Sequence, residues 1–259
     1  YEITYGDWSS DVCSSDLAAP VITSLTLKLA DALVIRSITS DKFGRLFGLR
    51  VANQNMVVIN LPTTVFQDAA LKLTFVYAGR MDPQAPDGTE SVAVGQAAQG
   101  LNDAPEFTAE PTFLYSTRAA WYPQATTTDY ATATMKISVP AGYDCVASGV
   151  LESGWPQVVG KKEDLSERKI YSFAAPQPLR YLAFLVSQFR RAESTTIDMP
   201  DLGKTLKLAV EANPRQVHRG REFIERATDI AKFYAALAGD RPYPTLDRKS
   251  TRLNSSHRT

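Results

Sequence analysis

The sequence predicts a mainly β protein, with antiparallel sheet first and then a late strand and one long helix. Three observations carry this. Between residues 20 and 77, short apolar runs recur at roughly ten-residue spacing with turn signals between them, the pattern of an antiparallel sandwich or curved sheet. Residues 130–139 alternate strictly, with Ala131, Ala133, Met135, Ile137 and Val139 on one face and Tyr130, Thr132, Thr134, Lys136 and Ser138 on the other. After Asn213-Pro214 the period changes to that of an amphipathic helix.

Taken in order, strands are expected at 24–29, 33–38, 46–51, 56–61 and 71–77. Asp41-Lys42-Phe43-Gly44 and Asn53-Gln54-Asn55 read as hairpin turns, and Leu61-Pro62 opens a connector. Residues 79–109 are turn-rich and unpatterned, a long excursion with one short strand at 91–94. Residues 111–149 then give two strands around a Trp121-Tyr122-Pro123 corner, stopped by a Pro140-Ala141-Gly142 turn and followed by the apolar run 145–150. Gly160 to Asp164 is a charged hairpin tip, 168–173 is the strand leaving it, and Pro176-Gln177-Pro178 breaks the chain. The run 181–189 is almost wholly apolar, suited to a strand buried on both faces. An edge begins at 195–200, and 206–211 is a short strand. The helix spans 215–237 with Phe223, Ile224, Ala227, Ile230, Ala231, Tyr234 and Leu237 as its stripe, and Gly239 stops it.

The two ends do not read like protein. Residues 7–17 back-translate to a DNA segment whose reverse complement encodes residues 247–257, apart from the last codon's final bases. Both look like a short-read sequencing adapter read from opposite strands. Segments 1–17 and 247–259 are therefore expected to be adapter-derived and without fixed structure, with the biological insert at 18–246. That leaves one cysteine, Cys145, and one histidine, His218, so the insert has no intramolecular disulfide and no site built on two His or a Cys cluster. Lys and Arg total 28 against 28 Asp and Glu, a formal net charge of +0, which gives no case for nucleic acid or anionic membrane as partner. No apolar run is long enough to span a bilayer.

Chemistry is sparse. His218 has Arg215, Arg219 and Arg221 as neighbours and no orienting carboxylate, and it reads as a helix-surface residue. Cys145 lies in an apolar strand without a second His to activate it, and reads as a buried structural thiol. Ser148 lacks a G-x-S-x-G elbow and belongs to a turn. The carboxylates are scattered, and neither a P-loop nor G-x-G-x-x-G is present.

Three patches, in this order, resemble the N-terminal part of zinc aminopeptidases of the aminopeptidase N family (gluzincins). They are FLYSTRAAWYPQ with DYATATMKISVPAGYDCVASG, then APQPLRYLAFLVSQFRR, then LKLAVEANPRQ with the helix and FYAALAGDRPYP. The resemblance covers nearly the whole insert. It implies a saddle-like antiparallel β-sandwich at 18–203 and, at 204–246, the truncated start of a thermolysin-like α/β metallopeptidase domain. In the family, zinc is held by H-E-x-x-H and a downstream Glu, the motif Glu is the general base, and a G-x-M-E-N-type loop captures the substrate's amino group. None of those elements lies in this chain, so no catalytic or metal residue is carried over. Zinc, peptide substrate and the rest of the catalytic domain belong to a full-length parent, and the fragment itself is expected to be inactive. The family's saddle often lends a polar side chain, commonly Gln, to the first substrate pocket. On the matching strand this chain has Ser116 and Thr117, the two candidate substrate-pocket residues. Two rivals stand beside this reading. One is a non-catalytic aminopeptidase-like scaffold. The other is an unrelated β-sandwich binding carbohydrate through exposed aromatics, for which Trp121, Tyr122 and Trp155 are the candidates.

Overall fold

The computed structural model describes residues 8–12, 21–66, 69–83, 111–125, 130–161, 166–199, 204–212, 214, 217–239 and 245–250. The first nine strands are β1 (Trp8–Val12), β2 (Val21–Lys28), β3 (Leu33–Ser40), β4 (Gly44–Leu46), β5 (Gly48–Val51), β6 (Met56–Phe66), β7 (Leu71–Gly79), β8 (Thr112–Tyr115) and β9 (Gln124–Ala125). Then come β10 (Ala131–Pro140), β11 (Asp144–Ala147), β12 (Val150–Leu151), β13 (Gln157–Val159), β14 (Arg168–Leu179), β15 (Phe184–Ser187), β16 (Arg190–Met199) and β17 (Lys204–Ala212). Helix α1 (Gly220–Ala238) and strand β18 (Thr245–Ser250) follow. The chain is mainly β, as expected; β1 with β7, β12 with β14, β13 with β14, β16 with β17, β2 with β6, β2 with β9, β3 with β4, β3 with β7 and β5 with β6 pair antiparallel, and β17 with β18 pairs parallel. It divides into two compact units. One comprises Tyr1–Glu90, Leu114–Thr132 and Pro178–Phe184; the other comprises Ser91–Phe113, Ala133–Gln177 and Leu185–Thr259.

The first unit holds two four-stranded sheets, β1-β7-β3-β4 and β5-β6-β2-β9. Alternation decides which side chains go inside. Leu25 and Leu27 of β2, Ile38 of β3, Val57 and Ile59 of β6, and Leu73 and Phe75 of β7 join one core from the two sheets. The expected single strand at 46–51 is two strands. β4 closes on β3, whereas β5 closes on β6, so the chain changes sheets at Phe47. Gly48 sits at that change, and a Cβ there would lie 2.7 Å from Ile38 Cδ1 and 2.9 Å from Val57 Cγ1. The Leu61-Pro62 connector also differs from expectation, because β6 continues to Phe66. Its register on β2 slips between Ile22 and Ser24, and Pro62 is tolerated at that irregularity, where no regular ladder bond is demanded of it.

The turn carrying β2 into β3 is the most heavily tied segment of this unit. Arg50 Nη1 donates to Leu29 O at 2.5 Å, Arg50 Nη2 donates to Ala30 O at 2.9 Å, and Nη2 also donates to Leu33 O. Asp31 lies 3.7 Å from the same guanidinium. Leu29 N donates to Asn55 O, and Asp31 N to Asn55 Oδ1, both at 2.8 Å. Asn55 supplies these from a left-handed backbone (φ 53°), as its place in the expected Asn53-Gln54-Asn55 turn allows.

In the second unit, β10 and β14 pair, with β12 and β13 on β14. The strict alternation of β10 is met. Met135 and Val139 are buried, Ala133 and Ile137 are half-buried, and Thr132, Thr134, Lys136 and Ser138 are exposed. β14 runs on through Pro176-Gln177-Pro178, which breaks nothing, because the φ of proline suits an extended backbone. The apolar run 181–189 is a strand only over Phe184–Ser187; Tyr181 is 49% exposed, and Val186 and Phe189 are buried. β16 begins at Arg190, five residues before the expected edge, and pairs along its length with β17.

α1 lies against these last strands. Ile224, Ala227 and Ala235 share a core with Ile197, Met199, Leu206, Leu208 and Val210. Gly239 caps the helix in the left-handed region (φ 70°), its N–H on Ala235 O at 2.9 Å, as its identity predicted. The expected stripe is only partly used, since Ile230, Tyr234 and Leu237 are exposed. Two strands fall on segments expected to carry no fixed structure: β1 pairs with the edge of β7, and β18 pairs in parallel with β17. A sheet edge offers a row of unsatisfied N–H and C=O groups to whatever backbone lies beside it.

Arg50 yields a direct test. Arg50→Met strips donors from three carbonyls, each worth about 1–3 kcal/mol when left buried and unpaired. Partial exposure of the site lets water recover some of this, so urea unfolding should show a loss of about 2–4 kcal/mol. A loss under about 0.5 kcal/mol, the range of ordinary surface changes, would mean that the turn stands without the clamp.

Candidate functional site

The candidate residues Ser116 and Thr117 lie in the Trp-Tyr-Pro corner, and every residue of that corner belongs to the first unit. β8 ends at Tyr115, and a 3-10 turn follows at Thr117–Ala119. Ser116 is its N-cap. The Ser116 hydroxyl accepts from Arg118 N at 3.3 Å, and its carbonyl accepts from Ala119 N at 3.0 Å. Ala120 then takes a left-handed conformation (φ 47°), which reverses the chain and presents its carbonyl to Ala30 N at 2.8 Å.

Beyond the reversal the corner is aromatic. Trp121 is buried and meets Phe184 edge-on at 4.9 Å and Tyr122 at 4.7 Å. Tyr115 stacks on Phe184 at 4.9 Å. These rings lie in the offset and edge-to-face arrangements their quadrupoles favour, each pair worth about 0.5–1.5 kcal/mol beyond burial. Two phenols anchor backbone: Tyr77 Oη donates to Trp121 O at 3.0 Å, and Tyr115 Oη donates to Met81 O at 3.2 Å. Burial pushes both phenols well above their ordinary pKa, with the charge of Asp82 adding to the effect at Tyr115, so both stay protonated donors.

Thr117 is held from three sides. Its Oγ1 lies 3.4 Å from Tyr122 Oη and donates to Leu182 O at 3.4 Å, while Leu182 N donates to Tyr122 Oη at 3.4 Å. Gln124 Nε2 donates to the Thr117 carbonyl at 3.1 Å. Sequence reasoning missed Gln124. The signal available was a Gln two residues beyond the Tyr-Pro corner, in a strand too short to show alternation. The partners of Thr117 are a phenol hydroxyl, backbone groups and an amide, so its described contacts hold the turn in place.

The remaining candidates of the sequence lie apart from it. Cys145 is 4% exposed, and burial, reinforced by Asp144, pushes its thiol well up, so it stays protonated. Beside it in the second unit, Asp144 Oδ1 takes Lys169 Nζ at 2.7 Å and the Tyr171 hydroxyl at 3.0 Å. Burial, and then the carboxylate, raise the Tyr171 phenol. His218 is exposed, in the 3-10 turn Val217–Arg219 ahead of α1. Ser148 lies in the bend before Gly149 (φ 97°), as expected of a turn residue. Among the described residues no group of three or more His, Cys, Asp or Glu is placed to hold a metal ion, so the described side chains do not fit zinc. The aromatics proposed for carbohydrate do not cluster on the surface: Trp121 is buried, Tyr122 is half-buried, and Trp155 lies half-buried with Lys136 Nζ 5.7 Å from its ring.

Two tests follow. Tyr122→Phe keeps the ring and removes the hydroxyl that joins Thr117 to Leu182; at these long distances the loss should be about 0.5–1 kcal/mol. Trp121→Ala should cost about 3–5 kcal/mol by urea unfolding. Equal costs would show that the hydroxyl, rather than the ring, anchors the corner. Separately, iodoacetamide at pH 8 should alkylate Cys145 only on unfolding, and rapid labelling at the Cys145 peptide of the folded chain, read by mass spectrometry apart from Cys13, would contradict its burial.

No family model matches the chain. Nor does any curated protein match it. Solved structures do. The M1 zinc metallopeptidase from Deinococcus radiodurans is 17% identical, with a TM-score of 0.62 over 94% of this chain and 51% of that one. A mutant of it bound to a Tyr-Ser-Ala substrate is 16% identical at the same TM-score and coverage. A two-domain M1 zinc metallopeptidase mutant bound to L-tryptophan is 15% identical, with a TM-score of 0.60 over 88% of this chain and 49% of that one. This chain thus spans about half the length of the structures it matches. At such low identity the likeness is one of fold, and the fold is one that M1 zinc metallopeptidases share.

Proposed function

We propose that the chain is the non-catalytic N-terminal portion of a zinc-dependent aminopeptidase, a saddle-like β-sandwich at 18–203 with the start of a catalytic domain at 204–246. Segments 1–17 and 247–259 are proposed as adapter-derived. The observation that carries the reading is the fold likeness, which runs through nearly all of this chain and about half of each peptidase. The order of the three sequence patches supports it independently. In this reading the peptide substrate, the zinc and its ligands belong to the rest of the parent. Ser116 and Thr117 lie at the rim of the first substrate pocket, held in place by Gln124, Tyr122 and the Ala120 reversal. Their task is to shape that pocket, since their partners give them no chemistry of their own.

The deciding experiment is to extend the source reading frame past the Leu246 codon. An H-E-x-x-H motif is expected within roughly the next hundred residues. A complete frame without it decides for the non-catalytic scaffold. For the chain itself, metal-dialysed protein should carry no stoichiometric zinc by mass spectrometry and release nothing chelator-sensitive from an amino-acyl arylamide. Either signal would overturn the fragment reading.

A further inference from the structure

We propose that the outer side of the Trp-Tyr-Pro corner is a cationic interaction surface whose partner is an acidic peptide segment. In the parent proposed above, that segment is the acidic part of a peptide substrate, and this last step alone rests on that reading.

The chain as a whole is electrically balanced, with 28 Lys and Arg against 28 Asp and Glu. The corner is not. Lys28, Arg80, Arg118 and Arg180 are exposed and stand beside residues that bond within it. Arg118 follows Thr117 in the 3-10 turn. Arg180 lies just before Leu182, whose carbonyl and N–H bond Thr117 Oγ1 and Tyr122 Oη. Lys28 is the cross-strand partner of Gln124, so the two side chains leave the same face of the β2–β9 ladder. The Gln124 amide reaches the Thr117 carbonyl at 3.1 Å, which turns that face toward the corner. Arg80 precedes Met81, whose carbonyl takes the Tyr115 hydroxyl at 3.2 Å.

Carboxylates do not match these cations. Residues 114–125 and 178–184 contain neither Asp nor Glu. Asp31, which follows β2, is engaged by Arg50 at 3.7 Å and accepts from Asn55 N at 3.3 Å. Asp82, whose charge reaches Tyr115, stands close to Arg80 along the chain. Lys28, Arg118 and Arg180 are left as the excess on the segments tied to Thr117.

The chemistry of these groups selects the partner. A guanidinium takes a carboxylate through two parallel N–H···O bonds, and an ammonium adds a compact point charge. Arg180 lies over the Tyr181 ring at 5.2 Å, and Tyr181 is 49% exposed, so an amphipathic ring borders the charge. Tyr and Arg together are what protein-binding surfaces favour, and a peptide brings apolar side chains along with its carboxylates. A nucleic acid fits less well, because its affinity grows with the number of phosphates neutralised and a balanced chain neutralises few.

The test is fluorescence anisotropy of the present chain with a labelled Glu-Ala-Glu-Ala peptide beside its Gln-Ala-Gln-Ala counterpart. An exposed ion pair changes affinity about 1.5-fold to fivefold, so three together should favour the Glu peptide by about tenfold at 0.01 M salt. At 0.2 M salt, where screening is far shorter in range, the preference should shrink to about twofold. Lys28→Glu/Arg118→Glu should abolish it, whereas Arg221→Glu on α1, at a side chain 87% exposed, should leave it intact. Lys28→Gln alone should weaken Glu-peptide binding about twofold with an unchanged urea midpoint, which keeps the test readable if the double reversal does not fold. No preference at low salt overturns the proposal, and so do equal losses from the corner and α1 variants. Tighter binding of a DNA duplex or of phosphatidylserine vesicles, lost in the same corner variants, overturns the peptide assignment. Zinc content of the extended parent is read separately. Glu-peptide binding here with a zinc-free parent leaves the surface standing and removes the peptidase reading, whereas a zinc-loaded parent without that binding does the reverse.

Discussion

The first unit depends on how the chain leaves one sheet and enters the other. Between β2 and β3 the backbone of residues 29–32 passes out of ladder pairing, and its polar groups must find partners elsewhere. Arg50 answers for three carbonyls, and Asn55 answers for two amides. A planar guanidinium suits this because its donors form a fixed fork, so one side chain fixes three backbone oxygens relative to one another. Arg50 sits on β5, which the chain reaches only after its second change of sheet at Phe47-Gly48. The first crossover is therefore locked by a residue of the second. The two sheets hold each other by sequence-distant contacts, and little of either is satisfied without the other.

The same turn orients the corner. Ala30 offers its N–H to the carbonyl that Ala120 exposes by adopting a left-handed backbone. For a residue with a Cβ that conformation costs about 1–2 kcal/mol, which the bond to Ala30, the Ser116 cap and the burial of Trp121 offset. Tyr77 and Tyr115 tie the corner to β7 and to the residues just after it, as phenols kept protonated by burial. What looks like a candidate site is thus a rigid platform. Its hydroxyls and amides bond one another and the backbone around them.

How legible this was in the sequence varied with the range of the forces involved. Local signals were readable. The alternation of β10, the Asn53-Gln54-Asn55 turn, the Gly239 cap and the inertness of Cys145 each depend on neighbours along the chain. Where partner strands decide, reading failed. Residues 46–51 look like one strand because nothing in their alternation shows that Leu46 belongs to one sheet and Leu49 to another. Prolines 176 and 178 looked like breakers, but the φ that proline fixes also suits an extended strand, and hydropathy does not show which N–H groups a partner strand would ask for. The run 181–189 looked buried throughout, and yet hydrophobicity alone does not say that Tyr181 precedes the paired segment. Ser116 and Thr117 read as strand residues, but β8 ends at Tyr115 and they open the 3-10 turn that follows, whereas Gln124, whose amide holds the Thr117 carbonyl, lies in too short a strand to show a pattern.

The helix shows the limit from the other direction. Its sequence carries one broad apolar band, and a band that wide reads as a single buried face. The structure divides it in two, because β16 and β17 reach only the side bearing Ile224, Ala227 and Ala235. Small alanines let the helix sit close on the sheet, and the large Phe233, Tyr234 and Leu237 are directed elsewhere. That division of sizes is itself informative. The switch from charged cover at Phe223 to exposed aromatics at Phe233 and Tyr234 falls within one element.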